Sequence, residues 1–403
     1  MRLARFMFQI REATEDDREG ALRVLWKAFE GFRDLDEMKK DDWTQYWNRP
    51  EDKDWAYVAV EDGQVRACLS FFASKNNVIR GAPLRFGGVW GVGTEPHYRK
   101  QGMIAALVRE SFNRMLDEKT VLSILDPFFP PFYEKFGYAQ AESRVVHKFK
   151  HDNLREVKGS EEISTRVLED PAEAPKALKL QKSMARFGSR VFFLERSLEN
   201  LIKKNHFHIL ERDGNPVGAI KFWFRKVGDW EFNLDITATS FISMDILPSI
   251  VELVSKYSIN AKEVKWYCDP EIPITYFMKD PEDAPVVSSG RMMMRVIDFE
   301  AYCTSIRIPS HATESIVVKL VDRDCDWNTG VYLLSPINGS LGVERVTSTP
   351  DVVLTELQLS RVVSGRTPAT VLRGLGEIEC SKESAMNLAS IFPEESFVSY
   401  QRF

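Results

Sequence analysis

Val92-Gly93-Thr94-Glu95-Pro96-His97-Tyr98-Arg99-Lys100-Gln101-Gly102-Met103-Ile104-Ala105 is the most specific stretch of this 403-residue chain. It reads as the end of a strand, a short turn carrying Arg-x-x-Gly, and the start of a helix. The first turn of any α-helix leaves backbone N–H groups without internal partners, and the helix dipole adds a partial positive charge there. Such an end suits a pyrophosphate. Gly102 lets an anion approach the backbone with no Cβ in the way, and Arg99 and Lys100 add positive charge at the same spot. A basic helix start with glycine chosen for sterics would read the same way, so the neighbouring elements have to weigh in.

Upstream, Phe6–Arg11 is a short apolar run, and Thr14-Glu15-Asp16-Asp17 reads as an N-cap and first turn. Ala21, Leu22, Leu25, Trp26 and Phe29 follow at helical spacing. Trp55–Glu61 and Val65–Ala73 are β-rich and joined by Asp62-Gly63, a strong hairpin signal. Phe86–Thr94 reads as a strand, Met103 to Leu116 as a helix, and Val121–Leu125 as a buried strand. The chain turns polar over Lys150–Ser164, a linker by composition. The scheme then restarts. A strand at Ile163–Val167 precedes a helix from Pro171 to Ala185. A second hairpin pairs His208–Arg212 with Val217–Phe224 around Asp213-Gly214-Asn215. A strand at Phe232–Thr237, a helix at Ile246–Lys256 and a strand at Val264–Cys268 complete the unit. After Arg291 come short strands at Ile316–Asp322, Gly330–Leu334, Leu341–Val346 and Asp351–Leu357, with helices at Ala369–Leu375 and Lys382–Ile391. The expected fold class is α+β with mixed α/β sheets, in three domains spanning 1–152, 153–290 and 291–403.

Composition narrows the function classes. Lys and Arg number 54 against 59 Asp and Glu, a net charge of −5, which argues against a nucleic-acid footprint. Cys68, Cys268, Cys303, Cys325 and Cys380 form no C-x-x-C pair, so neither a disulfide framework nor a zinc site is expected. His206 and His208 read as ordinary strand residues, and no metal is expected. No apolar run approaches the ~20 residues of a membrane span, and no signal-peptide pattern opens the chain. The expectation is a cytoplasmic protein without membrane partners.

The order of leading helix, hairpin, strand and Arg-x-x-Gly turn closely resembles the GNAT acetyltransferase fold. In that family the fourth strand splays from the fifth, and the pantetheine of acetyl-CoA pairs with the gap. The resemblance implies acetyl-CoA as co-substrate. It places Val92, Gly93 and Thr94 on the splayed strand. Arg99, Lys100, Gln101, Gly102, Met103, Ile104 and Ala105 fall around the pyrophosphate, with Phe128 and Phe129 also against the cofactor. Ile104 stands where the family usually has a small residue. The segment Phe132-Tyr133-Glu134-Lys135-Phe136-Gly137-Tyr138 matches the aromatic stretch that follows the fifth strand. A phenol there, with a pKa near ~10, suits an acid that protonates a thiolate of pKa ~8.5 as it forms. Tyr133 is the candidate acid. Phe132, Phe136 and Tyr138 read as core.

The whole chain resembles the Eis (enhanced intracellular survival) family, in which tandem GNAT-fold domains, the second degenerate, precede a sterol-carrier-like domain. Met292-Met293-Met294-Arg295-Val296-Ile297-Asp298, Asp326-Trp327-Asn328-Thr329-Gly330 and the terminal Ser399-Tyr400-Gln401-Arg402-Phe403 carry that resemblance. In that family the C-terminal carboxylate serves as general base, and Phe403 is the matching position. No Arg-x-x-Gly follows Leu234-Asp235-Ile236-Thr237-Ala238-Thr239-Ser240, so the middle domain is expected to bind no acetyl-CoA and to wall the acceptor pocket.

The resemblance implies acetyl transfer to primary amines, aminoglycoside-like polyamines or lysine side chains, by a homo-oligomer, a homohexamer in the family. Asp34, Asp36 and Glu37 are candidate acidic walls, or a solvated loop. Arg402 beside the last residue would oppose a cationic acceptor, and Pro130-Pro131 replace the glycines of better-known members. The alternatives are a dedicated protein or peptide acetyltransferase, and a non-catalytic lipid-carrier or acyl-CoA-binding regulatory protein. The turn, Tyr133 and the terminal aromatic together favour an enzyme.

Overall fold

The computed structural model describes residues 8–29, 54–204 and 206–402. Asp34, Asp36, Glu37 and Phe403 therefore lie outside the described residues, as does Phe6. The first unit contains strands β1 (Gln9–Glu12), β2 (Asp54–Glu61), β3 (Gln64–Ser74), β4 (Asn77–Val78), β5 (Phe86–Thr94), β6 (Leu122–Leu125) and β7 (Ala139–Gln140). Its helices are α1 (Arg18–Ala28), α2 (Met103–Asp117) and α3 (Pro130–Glu134). Asp62 and Gly63 take φ of +51° and +70°, the twist that a two-residue hairpin requires, and set the register Glu61 opposite Gln64.

Alternation along β2 and β3 then sorts the two faces. Ala56, Val58, Val65 and Cys68 pack with Ala21, Val24 and Leu25 of α1. Trp55, Tyr57, Leu69 and Phe71 pack on the other face with Leu107, Val108, Phe112 and Met115 of α2.

β8 (Val145–Phe149) ends the first unit, and the second holds β9 (Ile163–Val167), β10 (Ser189–Val191), β11 (Phe207–Arg212), β12 (Asn215–Lys226), β13 (Phe232–Phe241), β14 (Ala261–Cys268) and β15 (Val286–Ser288). Helices α4 (Ala174–Ser183), α5 (Glu195–Lys203) and α6 (Leu247–Ser258) accompany them. The third begins at β16 (Met293–Val296) and α7 (Phe299–Ser305). It continues through β17 (Ile316–Val321), β18 (Gly330–Ile337), β19 (Ser340–Arg345) and β20 (Val352–Thr355) to α8 (Glu356–Val363), α9 (Ala369–Gly374), α10 (Lys382–Ile391) and β21 (Phe397–Ser399). The stretch Asp351–Leu357, expected as one strand, divides. Thr355 caps α8 by accepting from the Gln358 amide while the Gln358 side chain returns to the Thr355 amide, so Glu356 and Leu357 are helical.

The two seven-stranded sheets exchange strands. The first runs β1-β2-β3-β5-β6-β16-β7, and the second β15-β8-β14-β13-β12-β11-β9. β16 arrives from beyond the second unit to pair with β6, Met294 opposite Ile124, while β8 leaves the first unit to pair with β14. A four-stranded sheet, β19-β18-β17-β20, belongs to the third unit. A small sheet, β21-β10-β4, takes one strand from each of the three units.

Two fully buried arginines tie these joints. Arg190 on β10 donates to Ser396 O at 3.0 Å and lies 3.1 Å from Asp269 Oδ1. Arg295 on β16 donates to Asp322 at 2.8 Å and stacks on Phe112 of α2. Removing either carboxylate would strand a buried charge at a cost of ~3–5 kcal/mol.

Candidate active site

β5 sets the first feature. It pairs with β3 as far as Thr94 opposite Ala67, but with β6 only over four residues, from Phe86 opposite Leu122 to Val89 opposite Leu125. Beyond Val89 the two strands part. A bulge against Cys68–Ser70 and a φ of +61° at Gly91 bend β5 at that point. Among the described residues, the β6-facing edge of Trp90–Thr94, which includes Val92 and Gly93, is thus free of strand pairing. Backbone N–H and C=O groups along such an edge can take an extended ligand as an added strand.

The second feature is the turn that follows. Glu95 donates its amide to Arg66 O at 2.8 Å, and Pro96–Tyr98 form a single 3₁₀ turn. Lys100 and Gly102 adopt φ of +65° and +86°, and α2 starts at Met103. The intrahelical ladder opens with the Ala106 amide on Gly102 O, which leaves the amides of Met103, Ile104 and Ala105 as the unpaired donors of the first turn. Arg99, Lys100, Gln101 and Gly102 are exposed. The acid of the turn, Glu95, is already matched by Lys27 and by Arg66 at 2.8 Å, and these pairs hold its pKa below the usual carboxylate value. The net field at the helix start is positive. That donor set, with no Cβ at Gly102, fits a pyrophosphate, and the edge of β5 fits the pantetheine arm of acetyl-CoA. Phe128 and Phe129 are 73% and 58% exposed, beyond the end of β6.

The aromatic segment forms the third feature. Pro130 and Pro131 open α3, where a missing N–H costs nothing. Tyr133 is buried, edge-on to Phe132 at 5.1 Å and to Tyr138 at 6.1 Å. Burial pushes its phenol up to about 12, and the charge of Asp126 adds to the rise. Tyr138 is fully buried with its hydroxyl 2.6 Å from Ser123 Oγ. Gly137 has φ +76°, and a Cβ there would collide with Arg295 and Glu356.

The chain's last described residues approach the same place. Ser143 N donates to Phe397 O at 2.9 Å, and β21 runs parallel to β10. Glu142, wholly buried, accepts from the amides of Arg291, Met292 and Ser399. Arg402 lies 3.1 Å from Glu142 Oε2 and 3.4 Å from Asp126 Oδ2. Asp126 immediately follows β6, so the tail reaches the mouth of the parted strands. Burial is the main cause that raises the Asp126 pKa, against the opposing pull of Arg402 and Arg291. The charge of Arg402 meets two carboxylates, which offsets its opposition to a cationic acceptor. No motif in the sequence marks Asp126, Glu142 or Tyr400. Only folding brings 126, 142 and 402 together.

Residues 9–141 match the family model described as acetyltransferase (GNAT) domain, and residues 299–398 match the sterol carrier protein domain. The first domain is a GNAT acetyltransferase domain. No curated protein matches the chain. Among solved structures, a GCN5-related N-acetyltransferase from Kribbella flavida aligns with 18% identity over 98% of each chain, at a TM-score of 0.84. A second, from Anabaena variabilis, has 19% identity over 98% of this chain and 100% of the other, at 0.83. Eis1 from Mycobacterium abscessus has 16% identity over 98% and 100%, at 0.78. At such identities the likeness is one of fold, and it extends over the whole chain. The GNAT domain is followed by a middle unit and a sterol carrier protein domain, an order of parts whose fold is like that of Eis1. Through residues 9–141 the chain is an enzyme of the acetyltransferase class. Among the described residues no helix is long and apolar enough to cross a membrane, and no group of three or more His, Cys, Asp or Glu could hold a metal.

Proposed function

We propose that this enzyme transfers acetyl from acetyl-CoA directly to a primary amine, an aminoglycoside-like polyamine or a lysine side chain. Tyr133 is the general acid and the terminal carboxylate of Phe403 the general base. The observation that carries this reading is the convergence, at the end of β6, of the parted strand edge, the buried Tyr133 that feels the charge of Asp126, and the tail as far as Arg402.

The amine nitrogen attacks the thioester carbonyl carbon, the carbonyl π pair moves to oxygen, and collapse breaks the C–S bond. The ammonium proton goes to the carboxylate, and the departing sulfur takes a proton from the phenol. A terminal carboxylate has a pKa near ~3.5 in water, so it holds an ammonium well but accepts its proton only in an environment that raises it. The high pKa of Tyr133 has a consequence too. Full transfer from a phenol at about 12 to a thiolate at ~8.5 is uphill by ~5 kcal/mol. Tyr133 therefore acts first as a hydrogen bond to sulfur as charge develops, and the one proton that nitrogen hands to the carboxylate is the one that afterwards returns to the phenol, so that a neutral amine and acetyl-CoA give the amide and free thiol. No covalent enzyme intermediate is needed.

The test is mass spectrometry of amine panels, aminoglycosides and lysine peptides included, after incubation with acetyl-CoA. A mass gain of one acetyl group on at least one amine is expected. A tag fused after Phe403 should abolish that gain while acetyl-CoA binding persists. Undiminished acetylation by the tagged chain removes the terminal base.

A further inference from the structure

The second domain repeats the parted-strand geometry without the phosphate turn. β13 pairs in parallel with β14 from Phe232 opposite Ala261 to Ile236 opposite Trp266 and no further, while on its other side it stays with β12 to Phe241 opposite Gly218. The edge Thr237–Phe241 is therefore open toward β14, as Trp90–Thr94 is open toward β6. After this strand comes Ile242-Ser243-Met244-Asp245, with an acid where the first domain has Arg-x-x-Gly. The basic side chains and the glycine that suit the first domain's turn to a pyrophosphate are missing here.

The gap is filled from within the chain. The Arg144 guanidinium donates to Thr237 O. The Tyr400 hydroxyl lies 3.4 Å from Thr239 O and 3.3 Å from Asp269 Oδ2. Trp266 Nε1 donates to Thr239 Oγ1 at 2.9 Å, closing the floor. Tyr400 is buried and its ring sits 6.4 Å from that of Phe193, within the second domain's core. Neighbouring tail groups hold the register: Tyr400 N donates to Val191 O at 2.9 Å, and Gln401 Oε1 accepts from Leu194 N at 3.1 Å. Two residues on, Arg402 is at Asp126, at the mouth of the first gap.

We propose that the open gap of the second domain is a socket for the C-terminal segment, with Tyr400 the positioning residue that holds the tail where Arg402 meets Asp126 of the first domain. The inference rests on the reading that the end of the chain serves the reaction. The degenerate domain keeps the strand separation because the tail uses it, and its lost phosphate turn is the part the tail does not need. Tyr400 acts through Phe403 and touches no substrate.

Hydrogen exchange of the full-length chain tests the socket independently of turnover. Y400A, which empties it, should raise exchange across 397–403 by roughly tenfold or more and lower kcat by about a hundredfold. Y400F, which keeps the ring but loses bonds to Thr239 O and the Asp269 carboxylate, should move both the same way by about tenfold. Acetyl-CoA affinity should stay within about twofold in both, which also reports that the first domain is folded. Unchanged exchange across 397–403 in Y400A overturns the socket. Raised exchange with unchanged kcat overturns the positioning role. If the wild-type chain acetylates no amine, the catalytic reading fails, while exchange still decides whether the socket holds the tail.

Discussion

The guanidinium of Arg402 meets the carboxylate of Asp126 at 3.4 Å, at the end of the strand whose parting from β5 opens the first domain. The next-to-last residue of the chain is thereby pinned more than 270 positions from its partner in sequence. Asp126→Asn keeps the shape and removes the charge. A charge-assisted bond at a partly buried site is worth ~1.5–3 kcal/mol. The expected outcome is a fall in kcat of about tenfold with the acetyl-CoA KM within about twofold, read from steady-state kinetics.

Tyr133→Phe removes one hydroxyl from a packed site and should leave the fold intact. General acid catalysis contributes ~10²–10⁴-fold, so kcat should fall within that span while acetyl-CoA affinity holds. The phenol is raised to about 12, so it stays protonated at all lower pH. The wild-type pH–rate profile should therefore show no alkaline fall from this group below about pH 11. A wild-type decline near the ordinary phenol value, absent in Tyr133→Phe, would contradict the buried assignment.

Much of this site is legible in the chain because its signals are local. Asp62-Gly63 sets a hairpin by its own backbone preferences, and Arg99 to Gly102 mark a helix start within four residues. The strand exchange is invisible by the same logic. Val145–Phe149 and Met293–Val296 are short apolar strands, and nothing in either says which of two sheets takes it. Asp126, Glu142 and Tyr400 carry no motif, since their partners are set by tertiary contact. At Thr355 a local signal does exist: the cap formed with Gln358 outranks the β-rich Val352-Val353-Leu354 before it.

Gly102→Ala tests the phosphate turn. A φ of +86° costs a residue with a Cβ ~1–2 kcal/mol, and the methyl also stands where an anion would approach. The acetyl-CoA KM should rise by about tenfold or more with kcat little changed, as measured by thiol release at varied acetyl-CoA.

Asp17 offers a stability test away from the site. Arg11 donates to it at 2.6 and 2.9 Å, and its pKa is lowered to about 2. A carboxylate held below its unfolded value of ~3.9 stabilises the fold above that pH and loses the contribution as pH falls toward 2. Arg11 is a third exposed, so solvent screens the pair and ~1–2 kcal/mol is the expected size. Asp17→Asn should lower Tm at pH 7, with the difference from wild type closing between about pH 4 and pH 2 in thermal melts.

Amine-dependent release of free coenzyme A from acetyl-CoA tests the central claim most directly. The account requires that at least one primary amine stimulates release with one acetylated product per thiol. Tight acetyl-CoA binding without stimulation by any amine would contradict it.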